Sequence, residues 1–326
     1  MKHLKLLFYA LALSATFASC GGGDDDEPSV PGSSSEQSSG GSGSGSGSGP
    51  SGSAANTNAN SVSLIPELGR MEFPHVKGGT SIVLVHKIAD HSYDKDGVNI
   101  CIEWDTQKKS QRWTCYQMHK GFGGNSGRSD DFKEDPDLPS TARVSDSHSM
   151  FSGSGYTRGH ICPSADRTFS KDANQQTFYY TNMQPQTYAF NGGNNYDGVW
   201  LLMENKVRQW ANQRATDTLF VCKGGTIDNP EQLLPSIKKN GEEMLVPKYF
   251  FMALLCKTTA GEYRAMGFWS EHLNYVPAAT DLRDYVVSID ELEELTGIDF
   301  FCNLPDYIEK EVENRPKEKI INAWGL

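Results

Sequence analysis

Residues 21–60 contain almost nothing but Gly, Ser, Pro, Asn and acidic side chains, so no part of this stretch can bury a core. Whatever folds must be built from residues 61–326. That length suffices for one large domain that buries well over half of its unfolded surface. Only residues 4–19 form a long apolar run, which excludes a polytopic membrane protein. No internal repeat or coiled-coil periodicity is visible, so arrays and solenoids are excluded too.

The first 20 residues read as an address. Lys2 and Lys5 precede an apolar stretch, and small residues precede Cys20, the layout of an export signal. Phe17-Ala18-Ser19-Cys20 resembles a bacterial lipobox, and the Gly-Gly-Gly-Asp-Asp-Asp-Glu that follows resembles the acidic export tag of surface lipoproteins in the Bacteroidetes. The expected organisation is a lipoprotein signal peptide over 1–20, a flexible tether over 21–60 and one domain over 61–326. Membrane attachment would run through a lipidated Cys20, on the outer membrane or cell surface. The tether would reach roughly 35 Å.

The expected domain carries 28 basic and 36 acidic side chains, a balance of −8. A bulk positive field for gripping a polyanion is therefore absent. Any phosphate chemistry must rely on a local basic site or a cation. Six cysteines follow Cys20, with no CxxC pair, which argues against a structural zinc site. An exported chain permits disulfides; Cys101 and Cys115 could face each other across a hairpin, and buried free thiols are the equal alternative.

Residues 81–86, 98–104 and 112–118 read as strands, rich in β-branched and aromatic residues. The same pattern returns at 176–181, 218–222, 248–256 and 263–269. Residues 120–157, mostly Gly, Ser, Asp and Pro, predict a long loop of the kind that usually carries function. Val199, Leu202, Met203, Val207 and Trp210 recur at helical spacing within 197–212. Ser288, followed three residues later by Glu291, marks a capping box. Strands with irregularly placed helices indicate an α+β fold.

The chemistry concentrates between residues 156 and 208. Arg158 and His160 lie two apart, so on an extended chain they face one way. A guanidinium and an imidazole in one cleft suit a phosphodiester, the first for charge and the second for proton transfer. Asn182 and Asn191 offer neutral oxygen, and Glu204 and Arg208 share a helix face. Oxygen donors without thiolates suit a hard cation such as Mg²⁺.

In order and spacing these residues resemble the DNA/RNA non-specific endonuclease family, the Serratia-nuclease-like ββα-metal (His-Me finger) nucleases. Thr157-Arg158-Gly159-His160 matches the family's Asp-Arg-Gly-His box, continued by His-x-x-Pro-x-x-Asp-Arg from His160 to Arg167. Thr181 to Gln186 matches Ser/Thr-Asn-x-x-Pro-Gln. Asn191, Trp200, Glu204 and Arg208 match the Asn and Trp-x-x-x-Glu-x-x-x-Arg that follow. Arg128 and the segment to Pro136 resemble the family's lead-in, and the likeness covers roughly residues 65–315.

The resemblance implies a mixed, mainly antiparallel sheet flanked by helices, and a Mg²⁺-dependent (or Mn²⁺-dependent) endonuclease acting on DNA and RNA. It implies His160 as general base, Asn191 as the protein ligand of the metal and Glu204 holding one of its waters. Arg158 and Arg128 would contact phosphate, Asn182 would position the site, and Arg208 would at least pair with Glu204. Thr157 departs from the box's Asp, with tuned rather than lost activity expected. An insertion around 192–196 leaves Asn194 and Asn195 as alternative ligands. Two other readings share the sequence: a non-catalytic surface lipoprotein that binds nucleic acid, and a Mg²⁺ phosphodiesterase acting on small nucleotides.

Overall fold

A computed structural model describes residues 56–326. The signal peptide with Cys20, and the tether up to residue 55, lie outside the described residues. Eleven strands and seven α-helices follow in chain order. They are β1 (Ser81–Lys87), β2 (Val98–Asp105), β3 (Ser110–Met118), α1 (Ser147–Phe151), β4 (Thr157–His160), α2 (Lys171–Gln176), β5 (Met183–Gln186), α3 (Tyr188–Asn191) and α4 (Val199–Ala211). After these come β6 (Thr216–Gly225), β7 (Leu233–Lys239), β8 (Glu242–Pro247), β9 (Tyr249–Thr258), β10 (Tyr263–Glu271), β11 (Val286–Val287), α5 (Ile289–Thr296), α6 (Asp306–Glu313) and α7 (Lys317–Trp324).

Seven strands form one sheet in the order β1-β2-β3-β6-β9-β10-β11, each pairing antiparallel. Both faces are covered, which is why β9 is an unbroken apolar run rather than an alternating one. Its Phe250, Met252, Leu254 and Cys256 face one core, with Trp200, Met203 and Val207 of α4 and Ile320 and Trp324 of α7. Its Phe251, Ala253 and Leu255 face a second core with Ile289 and Leu292 of α5 and Val312 of α6. The sheet thus separates α4 and α7 from α5 and α6.

The expected α+β fold with a mainly antiparallel sheet is the one observed. Cys101 and Cys115 do stand opposite each other, and Cys222 continues the row on β6. All six described cysteines are buried free thiols.

The strand expected at 176–181 does not form. Ser170 caps α2 by accepting from the Ala173 N–H, and the helix runs to Gln176. A 3-10 turn follows at Tyr180–Asn182. The aromatic run there is satisfied by burial of Phe178, and its only strand-like link is a bridge from Tyr179 to Lys133. The packed region also begins ahead of residue 61. Asn56 donates to the carbonyls of Cys302 and Leu304, and Asn60 donates to that of Pro74 while accepting from the Val76 N–H. No helix among the described residues is long and apolar enough to cross a membrane.

Candidate active site

The two-stranded antiparallel sheet of β4 and β5 carries the central motif. Arg158 pairs with Pro185 and His160 with Met183 across it. Gly159 is required because a Cβ there would collide with the buried Gln186 side chain. The amide of Gln186 has no protein partner of its own.

His160 sits between two aromatic edges, Phe132 at 5.7 Å and Phe178 at 4.9 Å between ring centroids. Each of these rings carries a guanidinium: Arg158 lies 3.8 Å over Phe132 and Arg128 lies 4.8 Å over Phe178. The loop residue Arg128 is thereby brought to the same place as the strand residue Arg158, while also pairing with Asp130 at 2.6 Å. Burial holds the His160 imidazole down at about 3, and Arg128 and Arg158 push the same way against a backbone hydrogen bond at Arg158. The ring is therefore neutral at physiological pH. Its Nε2 is shielded from solvent and has no protein partner, and a neutral imidazole keeps one ring nitrogen able to accept a proton.

Asn191 ends α3 one strand away. Its Nδ2 lies 3.0 Å from Thr157 Oγ1, and the same hydroxyl donates to the Gln186 carbonyl at 2.9 Å. A hydroxyl has one proton. With that proton committed to Gln186, Thr157 can only accept from Asn191, so the amide must present its NH₂ to β4. The carbonyl Oδ1 then points away as a free donor of lone pairs. An Asp at 157 would also be an acceptor, which explains why Thr can stand there. Asn194 and Asn195 lie on an exposed turn, where Asn195 bonds Asp197.

Two residues that sequence reasoning passed over hold α3. Thr187 caps it, accepting from the Phe190 N–H, and the Thr187 N–H donates to His272 Nε2 at 2.7 Å. His272 donates from Nδ1 to the Pro247 carbonyl at 2.8 Å, so its tautomer is fixed. Burial lowers its pKa.

Glu204 points inward from α4 and is almost fully buried, where it meets the fully buried Lys223 of β6 at 3.5 Å. Burial pushes its carboxyl up, and Lys223 and Arg208 oppose that. Arg208 pairs mainly with Asp166, at 2.9 Å, and stands 4.0 Å from Glu204. Its expected pairing is therefore secondary, because Asp166 offers the closer carboxylate. Lys223 carries no motif signal; it reads as one more strand residue.

Asn182 is buried and spends its amide on backbone. It accepts from Cys162 N and donates to the carbonyls of Cys162 and Thr177. That clamps the chain just beyond His160. Trp200 adds a bond from Nε1 to the His160 carbonyl at 3.2 Å, tying α4 to β4.

One other ligand-like group lies nearby: His86, Asp135 and Asp137. The two ring nitrogens of His86 face Asp135 at 3.0 Å and Asp137 at 3.3 Å, and Thr181 Oγ1 also donates to Asp135. These contacts tie β1 to the loop before β4.

Comparison with known proteins bears on the whole of this arrangement. The profile of the DNA/RNA non-specific endonuclease family matches residues 87–307. A nuclease of Nostoc sp. (strain PCC 7120) is 31% identical over 218 residues, which is 66% of this chain and 75% of the relative. The mitochondrial nuclease EXOG of Homo sapiens is 28% identical over 217 residues, 63% of this chain and 56% of that protein. This chain thus spans little more than half the length of the human relative. Among solved structures, a chain of the EndoG/EndoGI complex superposes with a TM-score of 0.53 at 18% identity, covering 70% of this chain and 89% of that one. That likeness concerns the fold.

Proposed function

Since the chain belongs to the DNA/RNA non-specific endonuclease family, and is a nuclease, we propose that it hydrolyses phosphodiester bonds of both DNA and RNA with Mg²⁺, using His160 as general base and Asn191 as metal ligand. The observation that carries the reading is a neutral His160 imidazole on β4 beside an Asn191 amide turned by Thr157 of the same strand.

The residues present fit a hard cation: Asn191 offers a carbonyl oxygen and Glu204 a carboxylate for a metal-bound water, with no sulfur donor in the set. When bound, the cation supplies charge compensation for the phosphate and the leaving 3′-oxygen.

The remaining steps belong to the chain. Arg158 and Arg128, stacked on the rings beside His160, receive the phosphate. His160 accepts a proton from the attacking water, which its neutral state allows at pH 7. Asn182 and Trp200 hold the backbone at the imidazole and just beyond it. Water attack with departure of the 3′-oxygen leaves 5′-phosphate ends.

Grip on the polymer comes from these few groups rather than from a basic surface, given the excess of 41 acidic over 30 basic side chains. Phosphate contacts carry no sequence information, so cleavage has little sequence preference. The N-terminal signal and the Cys20 lipobox support an envelope location from which the enzyme digests polymers outside the cytosol.

The test is incubation of the purified full chain with plasmid DNA and with RNA, in Mg²⁺ and in EDTA. Digestion of both, only with metal, supports the proposal. Metal-independent cleavage, or binding of both without cleavage, rejects it.

A further inference from the structure

On the face of the sheet opposite α4, five carboxylates crowd together with no cationic side chain among them. Asp290 and Glu293 project from α5 and Glu313 from the end of α6. One oxygen from each lies within 4.8 Å of the other two. Glu313 is 5% exposed and its Oε1 has no hydrogen-bond partner. The charges that bear on it come from Glu293, Glu309, Asp290 and Asp299, all of one sign. Asp299 and Glu309 stand at the rim, bridged by Asn58 Nδ2 at 3.2 and 2.9 Å. Glu293 accepts from the Phe300 N–H through Oε1 at 2.7 Å, which leaves its second oxygen free.

Buried carboxylates without partners are costly, and native proteins compensate them with a cation or a proton. Convergence of three carboxylates from two helices on one point favours the first. Three carboxylates converging on one point make the all-protein oxygen cage that Ca²⁺ takes, whereas Mg²⁺ keeps most of its waters and binds through one or two carboxylates. An all-oxygen donor set also selects hard cations.

We propose that Asp290, Glu293 and Glu313 form a structural Ca²⁺ site that ties α5 to α6, distinct from the nuclease centre. The ion would also draw in the rim of Asp299, Glu309 and Asn58, and so fasten the first described residues of the chain to the domain.

The test uses the full chain, stripped with EDTA and desalted, in thermal unfolding with and without 2 mM CaCl₂. Asn191→Ala removes the proposed nuclease ligand, while Glu313→Gln and Asp290→Asn remove cluster charges. Calcium should raise Tm by about 5 °C in the wild type and in Asn191→Ala, and by no more than about 1 °C in the two cluster variants. Should Glu313→Gln fail to fold, the half-buried Asp290→Asn decides. No rise in the wild type, a full rise in Asp290→Asn, or a rise lost only in Asn191→Ala would overturn the proposal.

Discussion

Thr157 and Asn191 form one directional unit: the hydroxyl donates to Gln186 and accepts from the Asn191 amide. The proton count turns Asn191 Oδ1 away from β4. Thr157→Val removes the acceptor while keeping the shape. Partners of this kind typically contribute 10–100-fold to metal affinity or activity. The expected outcome is a loss of about that size in plasmid cleavage, with near-wild-type rates for Thr157→Ser and Thr157→Asp. Equal activity in Thr157→Val would remove the orienting role.

Lys223 and Glu204 are a buried pair between β6 and α4. Lys223→Met strands the carboxylate, and breaking such pairs costs about 3 kcal/mol. Glu204→Gln added to Lys223→Met should restore much of that stability in urea unfolding. A single variant as stable as wild type would show that the pair contributes little to the fold.

His160 and His272 both titrate lower in the fold than in the unfolded chain, His160 at about 3 against the usual 6.5. The unfolded chain therefore binds protons first as the pH falls. Their contribution to stability is whole above about pH 6.5 and is lost progressively below it, toward the folded pKa. The drop in Tm between pH 7 and pH 5 should be smaller in His160→Ala than in the wild type. Identical drops would contradict the half-buried, neutral imidazole.

Cell fractionation addresses the N-terminus. A lipoprotein signal at Cys20 predicts membrane-bound protein outside the cytosol, released into the soluble fraction by Cys20→Ala. Unlipidated protein in the cytosol would reject the envelope role.

What the sequence disclosed was local. The spacing of Trp200, Met203 and Val207 marked α4, and the β-branched runs marked β1, β2 and β6, because period and propensity are properties of neighbours. The hairpin of β7 and β8 is equally local, since Asn240-Gly241 takes the two left-handed positions of its turn. At 178–180 the aromatic run imitated a strand, and tertiary burial of Phe178 decided otherwise.

Motif order brought Arg158, His160, Asn191 and Glu204 into view. Their partners were hidden for a physical reason. Lys223 and His272 act through contacts made 19 and 85 residues away, and no periodicity reports such contacts. Arg128 was visible only through the family lead-in, and its place beside His160 depends on the ring of Phe178.

The Mg²⁺ dependence of plasmid cleavage in wild type, His160→Ala and Asn191→Ala tests the central claim most directly. The account predicts that His160→Ala falls below a tenth of wild-type rate at every Mg²⁺ concentration. It predicts that Asn191→Ala is slowed and needs more Mg²⁺ for its half-maximal rate, with both variants folded. A His160→Ala rate above a tenth of wild type, or an unshifted Mg²⁺ requirement in Asn191→Ala, would contradict it.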